Sequence, residues 1–212
     1  MLLGLNTCSA TPKPVFVEKT EDRVLEVPKN RTVTIFGSIG QAIYGVTRAL
    51  QELDARSSEP IYLLIDSPGG EVLPSYQIIT AMQNVKAPVY TICMKLCASM
   101  AFLIHQHGTK RYMQRRSVLM MHVLSLNFPA QSKESTIGLE SQLVFINSHF
   151  HQMIKEISSR SNLKYKDYLD SILKDLWASD KKARKLGLIE DMVSVKLVTS
   201  PPAPFRVLPR DE

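Results

Sequence analysis

The chain has 212 residues, 44% hydrophobic and 22% charged, a balance typical of one folded domain rather than of a chain too polar to bury a core. Its formal net charge is +6. The basic clusters at 110–111, 115–116 and 181–185 lack the interleaved aromatic residues of a base-stacking surface, so they are interpreted as solvated or subunit-facing surface. No apolar run reaches the roughly 18 residues of a membrane span. The three cysteines have no metal-ligand spacing, Cys93 and Cys97 are interpreted as small core residues, and a reducing cytoplasm is expected.

The first predicted elements alternate between strand and helix. Residues 1–30 have no hydrophobic period and contain three prolines, so an arm or loop is expected there. A β-branched run at 31–36 predicts a strand, and Ser38 would cap a helix whose apolar face runs from Ile39 to Leu50. A continuous apolar run at 60–66 predicts a buried strand, which ends at the turn 67–70 (SPGG).

The alternation continues through the middle of the chain. A helix with apolar residues between 78 and 85, a buried strand at 88–94 and a third helix from Ser99 follow in order, which predicts an α/β domain with parallel strands. A short strand at 118–121 ends at His122. Near the end, Ser179 would cap a basic helix that stops at Gly187, a strand is expected at 193–199, and the tail 200–212 is too rich in proline to pack.

A heptad pattern occupies the segment 135–160. Its apolar residues recur at steps of three and four, and they are Leu139, Leu143, Ile146, Phe150, Met153 and Ile157. A helix of this length could pack on its own core or meet a symmetry mate. Because the seam stays narrow over nearly three heptads, the interface between subunits is favoured.

Hydrolysis of an amide requires a nucleophile, a base, a group that orients the base, and donors for the oxyanion. Ser99 stands at the first turn of a helix that follows a buried strand, where the helix N-terminus favours negative charge, although a serine there can equally be a simple N-cap. Gly69-Gly70 can be a turn or a close backbone approach to a substrate. His122 can be a base or a hydrogen-bonded core histidine.

Taken together, these motifs resemble the Clp protease proteolytic subunit (ClpP) family of serine peptidases. The resemblance runs from about residue 31 to 195 and is carried by five ordered segments, 66–70 (DSPGG), 92–101 (ICMKLCASMA), 118–122 (VLMMH), 176–179 (LWAS) and 187–191 (GLIED). It implies an α/β fold of stacked βαβ units, shared with crotonases, and a long protruding handle helix at about 135–160. The chain would then divide into an N-terminal arm or axial loop at 1–30, a peptidase domain at 31–199, and a disordered tail at 200–212.

The same resemblance implies the site residues. They would be Ser99 as nucleophile, His122 as general base, Asp175 as the residue that orients the histidine, and the backbone N–H groups of Gly70 and Met100 as oxyanion donors. Asp175 precedes the aromatic-plus-serine segment and lies twelve residues before Gly187, whereas its neighbours Asp170 and Asp180 do not fit that spacing. No metal or cofactor is implied, because ATP would be used only by a partner ATPase.

Family members form heptameric rings, stacked in pairs as a 14-mer around a closed chamber that an AAA+ unfoldase ATPase feeds. The resemblance therefore implies a serine endopeptidase that cuts unfolded polypeptides to short peptides. Its partners would be itself, paralogous subunits and the ATPase, with no nucleic acid and no membrane span. The expected compartment is the cytoplasm, with the stroma or matrix of an organelle as the alternative.

Two departures from the family pattern bear on this interpretation. The family usually has Gln-Pro and a glycine-rich strand after its histidine, whereas this chain has 123–130 (VLSLNFPA), and Ala101 stands where the family usually has glycine. The first affects the alignment of peptide substrates and the contact between rings rather than the triad. Three alternatives remain: a paralogous ring subunit with reduced or partner-dependent activity, a crotonase-like acyl-CoA enzyme, and a Ser–Lys peptidase with Lys95 as base.

Overall fold

The computed structural model describes residues 16–19, 22–40, 44–123 and 136–199, which form a mixed sheet with helices packed on it. The strands are β1 (Phe16–Lys19), β2 (Asp22–Pro28), β3 (Thr32–Phe36), β4 (Ile61–Ser67), β5 (Val89–Ala98), β6 (Lys110–Gln114), β7 (Val118–Met121), β8 (Leu176–Ser179) and β9 (Asp191–Val198). The helices are α1 (Tyr44–Arg56), α2 (Val72–Asn84), α3 (Met100–Gln106), α4 (Thr136–Ser159), α5 (Tyr165–Ile172) and α6 (Asp180–Lys185). The expectations for residues 1–15, 124–130 and 200–212 lie outside the described residues.

The strand order is β1-β2-β9-β6-β5-β4-β3, and every pair along this path except β1–β2 is parallel. Parallel neighbours need crossover connections, which α1, α2 and α3 provide between successive strands from β3 to β6. The predicted α/β class is therefore confirmed. No helix in the described ranges is long and apolar enough to cross a membrane.

Strand β5 pairs with two different strands along one edge, and this pairing positions the candidate site. Its first half pairs with β6 and its end pairs with β7, which in turn pairs antiparallel with β8. Along the other edge the register with β4 shifts between Ile65 and Ser67, so residues 94–96 bulge out. Asp66 holds this bulge, because its Oδ1 accepts the N–H of Leu96 at 3.2 Å. The carboxyl ends of β5 and β7 consequently lie side by side.

The two faces of the sheet bury different cores. The face under the helices is mainly aliphatic, whereas the opposite face is built around Tyr62, Tyr90 and Tyr112, whose rings meet edge to face. Burial raises the pKa of Tyr62 to about 12, so its phenol stays neutral at physiological pH. Both faces of the central strands are covered, which explains the continuous apolar runs in the sequence.

The N-terminal loop expected over residues 1–30 is wrong for β1 and β2. These strands form an antiparallel pair, and β2 runs parallel to β9 from the pair Val24–Ser194 onward. In β2 the apolar side chains of Leu25 and Val27 are fully buried, and Glu26 lies between them. An alternation of this length is too short to predict a strand from the sequence.

The first helix also begins later than expected. Ser38 does not cap it, because Ile39, the next residue, forms a parallel β-bridge with Gly70, and α1 is described from Tyr44 onward. Strand β6 was missed as well. It contains Arg111, which the sequence analysis placed on the surface but which is buried, with its guanidinium 3.0 Å from Glu190.

The predicted long helix is present as α4, but its heptad seam does not behave as one interface. The side chains of Leu139, Leu143 and Ile146 lie outside the described set. Phe150, Met153 and Ile157 are buried in the core of the same chain, being 6%, 8% and 1% exposed. The interpretation of the seam as a contact between subunits is therefore wrong for its second half, where it packs within the domain.

Replacing Phe150 by alanine is expected to lower the free energy of unfolding by about 3–5 kcal/mol, as for other buried aromatic residues. Val144 is the matched control on the same helix, because 70% of its surface is exposed and Val144→Ala should change that free energy by no more than about 0.5 kcal/mol. Urea unfolding of both variants measures the difference. Equal losses would mean that Phe150 is not part of the core.

Candidate active site

Ser99 joins β5 to α3 in a backbone conformation that few residues with a side chain adopt. Its φ is 54° and its ψ is −122°. The Ser99 N–H donates to the Met120 carbonyl at 2.9 Å, and its own carbonyl accepts the Phe102 N–H at 3.0 Å, so the turn is fixed at both ends. The Ser99 side chain makes no capping hydrogen bond. Of the two readings left open by the sequence, the simple N-cap is therefore not the one observed.

His122 follows the last residue of β7, beside the end of β5. Its Nε2 lies 2.8 Å from the Oγ of Ser99. When the hydroxyl donates in this hydrogen bond, Nε2 is the acceptor and the ring proton belongs on Nδ1. Both residues are half-buried, so the pair is shielded but reachable from solvent. The structure thus brings the predicted nucleophile and the predicted base into direct contact.

Asp175 immediately precedes β8, and His122 immediately follows β7. The antiparallel ladder ends at the pair Met121–Leu176, so continuing it by one position would set Asp175 opposite His122. Asp175 has a φ of 55° and is exposed. Within the described ranges no hydrogen bond or ion pair joins its carboxylate to His122. Asp175 and His122 thus lie at the same end of the β7–β8 ladder, but no hydrogen bond joins their side chains within the described part of the chain.

The two competing aspartates are engaged elsewhere or distant in the fold. Asp180 accepts the backbone N–H of Arg116 at 2.9 Å and that of Lys181 at 2.7 Å. Asp170 is an exposed residue of α5. Of the three aspartates, Asp175 is the one next to the end of the β7–β8 ladder that leads to His122.

The backbone N–H of Gly70, the predicted oxyanion donor, points away from Ile39, with which Gly70 forms an isolated β-bridge. The bridge to Ile39 uses the carbonyl of Gly69 and the N–H of Glu71, each at 2.8 Å, which leaves the N–H of Gly70 on the opposite side. A Cβ at Gly70 would clash with the Ile39 carbonyl and would lie 2.7 Å from the Ile39 nitrogen, and its φ is +153°. Only glycine fits this position.

Gly69 presses this loop against the serine turn. A Cβ at Gly69 would lie 2.8 Å from the Cβ of Ser99 and 3.0 Å from the nitrogen of Met100. Neither the Gly70 nor the Met100 N–H donates a hydrogen bond to any other described group. The N–H groups of Gly70 and Met100 therefore belong to two backbone segments that meet at the serine turn, and free backbone amides of this kind are the usual donors to an oxyanion.

Helix α3 is held in place by two buried polar side chains outside the site, those of His105 and Gln106. His105 is fully buried, burial lowers its pKa to about 4, and its Nε2–H donates to the carbonyl of Tyr112 at 2.9 Å. Gln106 donates to the His105 Nδ1 at 3.0 Å and to the carbonyl of Leu188 at 3.0 Å. These bonds hold His105 neutral and fix the helix that begins at the serine.

Other chemistries find less support near Ser99. The side chain of Lys95 is 84% exposed, and its ammonium lies 3.9 Å from Asp66 rather than on the serine. Across the described residues no group of three His, Cys, Asp or Glu side chains could hold a metal ion. Cys93 and Cys97 are buried in the core, as expected, but the structure pairs them as a disulfide, which was not expected.

Sequence reasoning missed the residues that shape the site from behind. Asp66 holds the β5 bulge and Ile39 supports the glycine loop, and neither had been given a role. The available signal for Asp66 was a carboxylate at the end of a buried strand. No local pattern marked Ile39, whose partner is 31 positions away in the chain.

Comparison with known proteins agrees with this geometry. The Clp protease family model matches residues 17–196. ATP-dependent Clp protease proteolytic subunit 3 of Synechococcus sp. (strain CC9605) is 33% identical over 141 residues, 65% of this chain and 68% of that protein. ATP-dependent Clp protease proteolytic subunit 2 of Treponema pallidum (strain Nichols) is 28% identical over 176 residues, 78% and 83% of the two chains. Because the family match extends over most of its length, the chain belongs to the Clp protease family.

Proposed function

We propose that this chain is a serine endopeptidase, the proteolytic subunit of an ATP-dependent Clp-type protease. The observation that carries the proposal is the 2.8 Å hydrogen bond between Ser99 Oγ and His122 Nε2, made from a strained strand-to-helix turn. An imidazole nitrogen in this position can take the hydroxyl proton as the oxygen attacks a carbonyl. Membership of the Clp protease family supports the same function.

In the proposed reaction Ser99 Oγ attacks the carbonyl carbon of a peptide bond while His122 Nε2 takes its proton. The carbonyl oxygen becomes an oxyanion that accepts hydrogen bonds from the N–H groups of Gly70 and Met100. The imidazolium then gives its proton to the leaving amine as the C–N bond breaks, which leaves an ester on Ser99. A water molecule, deprotonated by the same imidazole, hydrolyses the ester and restores the serine.

Asp175 would complete the triad by accepting a hydrogen bond from Nδ1–H of His122. That bond fixes the tautomer in which Nε2 is an acceptor, and it stabilises the imidazolium formed during the reaction. The topology supports this role, because Asp175 immediately precedes β8 and His122 immediately follows β7 at the same end of the antiparallel ladder.

A second candidate is a ring subunit whose activity depends on its partners. One observation favours it: the Asp175 carboxylate is exposed and unbonded to His122, so contacts made on assembly would have to turn it inward. A crotonase-like or Ser–Lys enzyme is less well supported. Neither explains a serine hydroxyl bonded to His122.

The assembly and its partners are proposed from the family. Relatives are named as proteolytic subunits of ATP-dependent Clp proteases. We infer that this chain likewise forms stacked heptameric rings, alone or with paralogous subunits, around a chamber that an AAA+ ATPase supplies with unfolded polypeptides. The work of unfolding would come from the ATPase, because the sequence has no GxxxxGK[ST] loop for ATP phosphates.

The purified protein is expected to cleave short fluorogenic peptides and to leave a stable folded protein intact until the ATPase and ATP are added. Peptides would diffuse into the chamber, whereas a folded domain must first be unfolded against ~5–15 kcal/mol of stability. Gel assays of a folded substrate, beside peptide assays with and without a serine-directed phosphonate, measure both points. Phosphonate-insensitive peptide cleavage would contradict the serine peptidase, and rapid ATP-independent digestion of the folded protein would contradict the chamber.

A further inference from the structure

The amide of Gly70 needs support from outside its own residue. An oxyanion donor is effective only when it is held in place beforehand, about 2.7–3.1 Å from the developing charge. Gly70 has no side chain, follows another glycine, and is exposed to solvent, whereas Gly69 before it is buried. The position of the Gly70 N–H therefore depends on the contacts of its neighbours.

One side of the loop is fixed by backbone. The Ile39 N–H donates to the Gly69 carbonyl, and the Ile39 carbonyl accepts the Glu71 N–H, both at 2.8 Å. These bonds fix the far edge of the loop and determine the side on which the Gly70 N–H emerges. They leave the N–H of Gly69 itself without a backbone partner among the described residues.

The other side is fixed by a single side chain. The Oγ of Ser67 accepts the Gly69 N–H at 3.0 Å. Ser67 is only 1% exposed, and as the last residue of β4 it pairs in register with Cys97, two residues before the nucleophile. Its hydroxyl is thus attached to the same framework that carries Ser99. Without this oxygen the buried Gly69 N–H would have no acceptor, and such a group is costly to leave unpaired.

We propose that Ser67 is a positioning residue for the oxyanion hole: its hydroxyl fixes Gly69 against the serine turn, and thereby sets the distance between the Gly70 N–H and Ser99. This inference rests on the proposed peptidase function. Gly69 lies close to Ser99, since a single added Cβ would lie 2.8 Å from the serine Cβ. A shift of Gly69 would also move the Gly70 N–H, because the two residues share one planar peptide unit.

The test compares Ser67→Ala with Ser75→Ala. Ser75 is also fully buried, but its hydroxyl donates to the Glu71 carbonyl within α2, so its loss removes a buried hydroxyl without freeing Gly69. In Ser67→Ala we expect kcat for a fluorogenic peptide to fall about 10- to 100-fold, less than complete loss of an oxyanion donor costs. KM should stay within about twofold, because the ground state gains little from the oxyanion hole.

Two further measurements separate positioning from general damage. The Ser99 hydroxyl adds reversibly to a peptide aldehyde, and the former carbonyl oxygen of the aldehyde then occupies the oxyanion hole. The inhibition constant of the aldehyde should therefore rise by the same factor as kcat falls. Amide hydrogen exchange in the segment 67–71 should speed up in Ser67→Ala and not in Ser75→Ala. If Ser67→Ala does not fold, Ser67→Thr and Ser67→Val form a second pair, of which only Thr keeps the oxygen and should keep the higher kcat.

Each outcome decides the matter. A Ser67→Ala protein with the kcat and aldehyde affinity of Ser75→Ala would overturn the proposal, as would equal kcat values for the Thr and Val variants. A parallel loss of kcat and aldehyde affinity with unchanged KM supports it. If the wild-type protein neither cleaves peptides nor reacts with the phosphonate, the proposed function itself fails, and hydrogen exchange still reports whether Ser67 fixes the glycine loop.

Discussion

Replacement of Ser99 by alanine is expected to abolish peptide hydrolysis, with a loss of at least ~10⁴-fold in kcat. The change removes one oxygen atom, the atom that bonds to His122 at 2.8 Å and would form the ester with substrate. It should leave the fold intact, because the side chain caps no helix and, among the described residues, hydrogen-bonds to the imidazole alone. Peptide assays, phosphonate labelling followed by intact mass, and urea unfolding measure the three effects.

The control for this variant is Ser75→Ala, which deletes a hydroxyl that bonds to the Glu71 carbonyl and to neither Ser99 nor His122, while the Ser75 N–H still donates to that carbonyl. It should retain wild-type kcat and label fully with the phosphonate. Hydrolysis by Ser99→Ala at the wild-type rate would sink the peptidase hypothesis. Loss of labelling together with loss of cooperative unfolding would instead mean that the strained turn at Ser99 depends on its hydroxyl.

The contact between Ser99 and His122 was accessible to sequence reasoning for a physical reason. Each residue follows a short apolar run, and the carboxyl ends of parallel strands meet at one edge of a sheet. Once β5 and β7 are neighbours, the residues that follow them must be close. Local pattern therefore placed each residue at the end of a strand, and the resemblance to the family paired them.

The orientation of α4 was not accessible in the same way. A heptad seam records that side chains such as Phe150 and Ile157 are buried, but burial by a partner helix and burial by the domain's own core have the same period. The narrow seam led to the prediction of a partner helix, which is wrong for the second half of α4. Only the tertiary contacts distinguish the two.

Long-range polar partners were equally invisible. Arg111 looked like part of a surface cluster with Lys110, and its burial depends on Glu190, 79 residues later in the chain. Ile39 was assigned to a helix because its periodicity fitted one, yet it serves as the backbone support of Gly70. In both cases the deciding partner lies outside any window that a sequence pattern can span.

Replacing Asp175 by asparagine is expected to lower kcat by ~10⁴-fold, the scale of loss when a triad carboxylate becomes an amide. The amide can donate to Nδ1 of His122, which favours the tautomer with the proton on Nε2. In that tautomer Nε2 cannot accept the hydroxyl proton of Ser99. The effect is therefore on the protonation pattern of the base rather than on the fold, and the urea midpoint should change little because Asp175 is exposed.

The matched controls are Asp170→Asn and Asp180→Asn, which make the same chemical change nearby. Asp180 accepts the backbone N–H of Arg116 on one oxygen and that of Lys181 on the other, so asparagine, with a single side-chain oxygen, keeps one of the two bonds and neither bond involves His122. Both controls should keep kcat within about twofold of wild type, as expected for substitutions away from the reacting atoms. A larger loss in Asp170→Asn would move the orienting role to α5 and show that the assignment of Asp175 by spacing is wrong. Near-wild-type activity in all three variants would mean that catalysis does not require the Asp175 carboxylate. Ser99 and His122 would then act as a dyad.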